Sequence, residues 1–107
     1  MLEELRKILE SIKEFKGKVA YRAFPVNEAP KLPFICYQET GTNSFFADGK
    51  IYNSASVVDI ELYSKNRDSV SEQLIEKKLE ENNITWGKDI EYLDDEKCYE
   101  VIYTVEV

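Results

Sequence analysis

The chain has 107 residues and a mass of 12.5 kDa, enough for one domain with one hydrophobic core. An apolar fraction of 43% excludes disorder by composition. A formal charge of −7 argues against binding duplex nucleic acid or an anionic membrane, because both need clustered Lys and Arg.

The N-terminus, MLEELRKILESIKEFKGK, is charged throughout, with no apolar run of signal-peptide length, and no window approaches the roughly 20 apolar residues of a membrane span. A cytosolic location is expected. Leu2, Leu5, Ile8, Leu9, Ile12 and Phe15 recur at helical spacing, which predicts an amphipathic helix of about four turns stopped by Gly17. Val19 to Phe24 reads as a short strand ended by Pro25. The stretch PVNEAPKLP, residues 25–33, holds all three prolines and reads as a rigid surface connection.

Two longer strands follow. The first, Phe34 to Glu39, is rich in aromatic and β-branched residues. The second runs from about Lys50 to Tyr63, with Val58, Ile60 and Leu62 expected on one face and Asp59, Glu61 and Ser64 on the other. Between them, Gly41, Asn43, Asp48 and Gly49 predict a long loop that carries the adjacent Phe45 and Phe46. Two large apolar side chains in so polar a loop point to a surface that another protein covers.

Ser69-Val70-Ser71-Glu72 matches a capping box opening a second helix to about Glu81, with Val70, Leu74, Ile75 and Leu79 as its apolar stripe. Ile84, Trp86, Ile90 and Tyr92 mark a strand in which Gly87 suggests a bulge. A turn at Asp94 to Lys97 leads into CYEVIYTVEV, whose alternation is the strongest in the chain. The predicted fold is α+β: one domain, residues 1–107, with an antiparallel sheet, two helices packed on one face, and the order α-β-β-β-α-β-β.

Chemistry is sparse. Histidine is absent, which removes the commonest general base and metal ligand. There is no phosphate loop, GxSxG turn or HExxH helix, and the serines lack a base at a meaningful spacing. Cys36 and Cys98 have no CxxC spacing and read as buried free thiols, with a disulfide as the alternative. Asp94, Asp95 and Glu96 lack the alternating ligands of a calcium loop and read as a solvated turn. Asp59 and Glu61, at i and i+2, share a face as a glycosidase pair would, but a polar outer face or a partner-facing rim explains them better. No catalytic residue, cofactor or metal is expected. The seven tyrosines fall on or beside strands, where packing is their first role. Some of them, Tyr52 among these, join Phe45, Phe46, Asp48, Asp59 and Glu61 as interface candidates.

Three stretches carry a family resemblance: the helix MLEELRKILESI, the pattern Y-x-x-F-P-x-x-x-A-P-x-L-P-[FY]-I at Tyr21 to Ile35, and F-x-A-D-G at Phe45 to Gly49. With VVDIELYSKNRD and the terminal YEVIYTVEV, they make the whole chain resemble the tail-completion, tail-terminator and head–tail joining proteins of phages and prophages of Gram-positive bacteria. The resemblance implies a non-enzymatic α+β subunit that assembles as a homo-oligomeric ring, a hexamer on the tail end. Its implied partners are tail-tube or head-connector proteins, with no sequence-specific nucleic acid and no membrane. It would assemble in the host cytoplasm and remain in the virion. The alternative is a small acidic binding module or regulator of a host or phage partner.

Overall fold

The apolar spacing at the N-terminus yields two elements. The computed structural model describes residues 2–47 and 50–107, with side chains described at 2–43 and 55–107. Helix α1 spans Leu2–Glu10, shorter than the four turns expected, and a 3-10 turn follows at Lys13–Phe15. The break has a local cause. Ser11 Oγ donates to the Ile8 carbonyl at 2.6 Å, a side-chain bond that competes with helix continuation. Ile12 then turns extended, at φ −73° and ψ 114°, yet Ile12 and Phe15 still reach the core. Gly17, at φ +77°, reverses the chain into the sheet.

The sheet has five strands: β1 (Val19–Tyr21), β2 (Phe34–Ala47), β3 (Lys50–Ser64), β4 (Trp86–Leu93) and β5 (Cys98–Glu106). Their spatial order is β1-β2-β3-β5-β4. The α+β class and the chain order of elements agree with the sequence, but the sheet is mixed and not antiparallel throughout. β1 runs parallel to β2, with Val19 opposite Ile35 and Tyr21 opposite Tyr37. The proline-rich connection makes this possible, since it carries the chain back to the start of the sheet before β2 begins. Phe24, just before it, packs edge-on against Phe34 at 5.3 Å.

The loop expected around Phe45 and Phe46 is strand instead. β2 continues to Ala47 and pairs with β3 through Phe45 opposite Asn53 and Phe46 opposite Ile51, with register shifts near Thr40 and between the two phenylalanines. β-branched and aromatic residues outweigh the turn-forming Gly41 and Asn43 here. Ser64 also moves, for its parity is that of Val58, Ile60 and Leu62. It is buried with them, and its hydroxyl finds no hydrogen-bond partner. Gly87 makes no bulge, since β4 and β5 stay in register from Trp86–Val105 to Leu93–Cys98.

Helix α2 (Ser69–Glu81) begins at the expected cap residue, one position earlier than the capping box implies. Asp68 is the N-cap: its carboxylate accepts from Ser71 N at 3.0 Å and from Ser71 Oγ at 2.9 Å. Glu72 is therefore released from the capping box. Val70 is exposed, and Ser71, Glu72, Ile75 and Leu79 form the buried side. The core joins Leu5, Leu9, Ile12 and Phe15, from α1 and the turn after it, to Ile75 and Leu79 of α2 and the face of the sheet bearing Ile35, Val58, Ile60, Leu62, Val101 and Tyr103. Both helices thus cover one face of the sheet, while on the other Phe24 of the connection packs on Phe34, and Phe34 on Tyr63.

Candidate functional site on the open sheet face

Strand alternation sends Cys36 and Gln38 of β2, Asp59, Glu61 and Tyr63 of β3, Glu100, Ile102 and Thr104 of β5, and Asp89 and Glu91 of β4 to the open face. Among the described residues, none of these strand positions is Lys or Arg. Of the six interface candidates, Asp59 and Glu61 lie here. Asp48 lies outside the described residues, as do the side chains of Phe45, Phe46 and Tyr52, whose backbone belongs to the β2–β3 hairpin.

The centre of the face is a proton-sharing cluster. Glu61 is only 8% exposed and forms no ion pair among the described residues. Tyr63 Oη lies 2.9 Å from Glu61 Oε1 and 2.9 Å from Glu100 Oε2, while Gln38 Nε2 donates to Glu61 Oε2 at 3.3 Å. A phenol has one hydrogen to donate, so both 2.9 Å contacts are hydrogen bonds only when a carboxyl brings another. Glu100 is the carboxyl whose affinity for a proton the site raises. Burial raises its pKa, outweighing the lowering effect of the Tyr63 bond, and the charges of Glu61, Glu91 and Asp59 raise it further. When Glu100 carries a proton, it donates to Tyr63 Oη and Tyr63 donates to Glu61.

Neighbouring groups respond to the same field. Burial, then Glu61 and Glu100, push the Cys36 thiol up to about 11, so it is an inert neutral thiol at physiological pH. Burial also pushes Cys98 up. Both cysteines are free and buried. At the rim, Thr104 Oγ1 donates to Asp59 Oδ1 at 3.0 Å, and Asn43 Nδ2 donates to Glu106 Oε1 at 3.2 Å. Gln38, Tyr63 and Glu100 were not among the residues singled out from sequence. Only the strand register brings Tyr63 opposite Glu100, and no local motif records it.

The cluster can hold and release a proton. Among the described residues no group of three or more Cys, Asp or Glu side chains is placed to hold a metal ion. No helix among the described residues is long and apolar enough to cross a membrane. Neither a family model nor any curated protein matches the chain.

A raised folded-state pKa means that the folded chain binds the Glu100 proton more tightly than the unfolded chain. The stability this supplies is complete below the unfolded value near 4.5 and is lost as pH rises through the folded value. Glu100→Gln supplies the same donor at every pH. It is expected to raise stability at pH 8 by about 1 kcal/mol, the worth of one retained hydrogen bond. It should also flatten the decline that sets in above about pH 4.5. Thermal melts of both proteins across that range give the comparison, and an unchanged pH profile would remove Glu100 as the proton holder.

Proposed function

We propose that the chain is a non-enzymatic structural subunit of phage morphogenesis, of the tail-terminator, tail-completion or head–tail joining type, acting by ring assembly. The observation that carries this reading is the β2–β3 hairpin. β3 pairs with β5 from Ser56, bonded both ways to Val107, to Ser64, and the rest of the hairpin, out to Ala47 and Lys50, extends past the sheet as a two-stranded ribbon. The molecule is correspondingly long, 49 × 29 × 23 Å. An isolated ribbon is marginal in water, and this one has Phe45, Phe46, Ile51 and Tyr52 in its sequence. Such an arm suits contact with a neighbouring subunit, a tail-tube protein or a head connector. The sequence resemblance supports the same class, and an acidic face suits a ring through which DNA passes, since repulsion prevents sticking.

The acidic open face favours a second reading, a small binding module for a basic partner. The two separate by experiment. Replacing both Phe45→Ser and Phe46→Ser is expected to leave far-UV circular dichroism unchanged and to weaken binding to the tail-tube or connector protein, read by native mass spectrometry, at least about tenfold. Loss of the folded spectrum would place the pair in the fold and not at an interface. Capture of a host enzyme with no phage structural protein would favour the binding module.

A further inference from the structure

The two edges of the sheet differ from each other in a complementary way. Edge strand β4 carries Asp89 and Glu91 on the open face and Ile90 and Tyr92 on the helix face. Ile90 and Tyr92 are 43% and 49% exposed, because α2 does not extend over this corner. Edge strand β1 has the opposite character. Lys18 and Arg22 flank it, Lys18 at a position sharing the parity of Ala20 and Arg22 just past the strand at φ +67°, and Tyr21 is 44% exposed. Ile35 N donates to the Lys18 carbonyl and Arg22 N donates to the Tyr37 carbonyl, so these even-numbered residues bond inward. Val19 turns both backbone groups outward, away from β2, and Tyr21 its N–H, while the Tyr21 carbonyl accepts from Ala23 N at 2.8 Å.

Neither edge suits itself. An antiparallel β4–β4 pair that keeps both sheets the same way up, centred on Asp89, Ile90 or Glu91, sets Asp89 against Asp89, Asp89 against Glu91, or Glu91 against Glu91. A β1–β1 pair centred on Ala20 sets Lys18 against Arg22. Pairing β4 of one copy with β1 of the next removes both conflicts. Strand directions allow it: β1 and β2 are parallel and each later neighbour is antiparallel, so β4 runs opposite to β1. Copies in a common orientation therefore meet antiparallel. With Glu91 opposite Lys18, Ile90 faces Val19 and Lys88 faces Tyr21. A shift of two residues sets Asp89 opposite Arg22 and Ile90 opposite Tyr21.

We propose that copies of this chain associate head to tail by sheet continuation, β4 of one subunit adding to β1 of its neighbour. The contact is heterologous, so it closes into a ring or continues as a filament, and it places every acidic open face on one wall. It deepens the assembly reading by naming the surface between subunits, and it is tested without any phage component.

Sedimentation velocity at low ionic strength, where surface charge is least screened, is the assay. The wild-type chain is expected to associate with rising concentration. The pair Asp89→Lys with Glu91→Lys, and separately Lys18→Glu with Arg22→Glu, should each weaken association about a hundredfold, since like charges across an interface cost several kcal/mol. An equimolar mixture of the two variants restores opposite charges at every contact and should recover wild-type association. A wild-type chain that stays monomeric at its highest soluble concentration, or a mixture that stays dissociated, overturns the proposal. Should either variant fold poorly, amide exchange of the wild-type chain decides: protection confined to β4 and β1 as concentration rises supports the contact, and unchanged exchange there overturns it. Edge-dependent association without binding to any tail component would leave this inference standing and remove the phage reading. Tail binding by a chain whose copies never pair through these edges would do the reverse.

Discussion

Phe15→Ala is expected to lower the free energy of unfolding by about 3–5 kcal/mol, the range for a large aromatic removed from a closed core. Phe15 is fully buried, although it sits on a single 3-10 turn outside α1. That turn is held by the bond from Phe15 N to the Ile12 carbonyl at 2.9 Å, and Lys18 N closes the next turn on the Phe15 carbonyl at 2.9 Å. The ring lies between α1 and the entry to β1, so its loss empties the joint that fixes the first helix on the sheet. Domains of this size have a stability of about 5–15 kcal/mol, so the variant approaches the unfolding threshold at physiological temperature. Urea titration should show a lower midpoint with an unchanged slope. A decrease below about 1 kcal/mol would mean that the turn repacks.

Glu72→Ala is the second large effect, expected at about 2–3 kcal/mol. The Glu72 side chain is 4% exposed and is gripped by two cations. Arg67 Nε and Nη2 donate to its two oxygens at 3.0 Å each, and Lys88 Nζ reaches Glu72 Oε1 at 2.6 Å and Glu76 Oε2 at 2.8 Å. Tyr103 Oη donates to the same Glu76 oxygen at 2.7 Å, tying α2 to β5. Breaking a buried pair costs about 3–5 kcal/mol, and the partial exposure of Arg67 and Lys88 brings the expectation lower. Burial alone would raise the Glu72 carboxyl, but the Arg67 and Lys88 bonds outweigh it and hold the group below the usual range. A depressed folded-state value supplies stability above the unfolded value near 4.5 and loses it as pH falls through the folded one. The wild-type chain should therefore lose stability below about pH 4.5 more steeply than the variant. Parallel acid-unfolding curves would contradict this assignment.

These two sites show what could be read in advance. Periodicity reveals which residues enter the core: Leu5, Leu9, Ile12 and Phe15 all do, although the helix meant to carry them stops at Glu10. The alternation of CYEVIYTVEV likewise foretells the buried Val101, Tyr103 and Val105. Missed features depend on competition between neighbours or on distant partners. The capping box points to Ser69, but Asp68, one residue earlier, takes the cap, and Glu72 faces Arg67 and Lys88. A parallel β1–β2 pair cannot be read from connection length alone when a nine-residue proline-rich segment can run either way. At the open face, Asp59 and Glu61 were legible as a polar pair, but the proton shared with Glu100 follows from a strand register spanning 37 residues of sequence.

In the proposed role the chain assembles with copies of itself and with a phage structural partner. Native mass spectrometry across concentration, alone and mixed with the tail-tube protein, tests it most directly. The account predicts a discrete closed oligomer that gains mass when the tube protein is added. A chain that remains strictly monomeric in both conditions would contradict it.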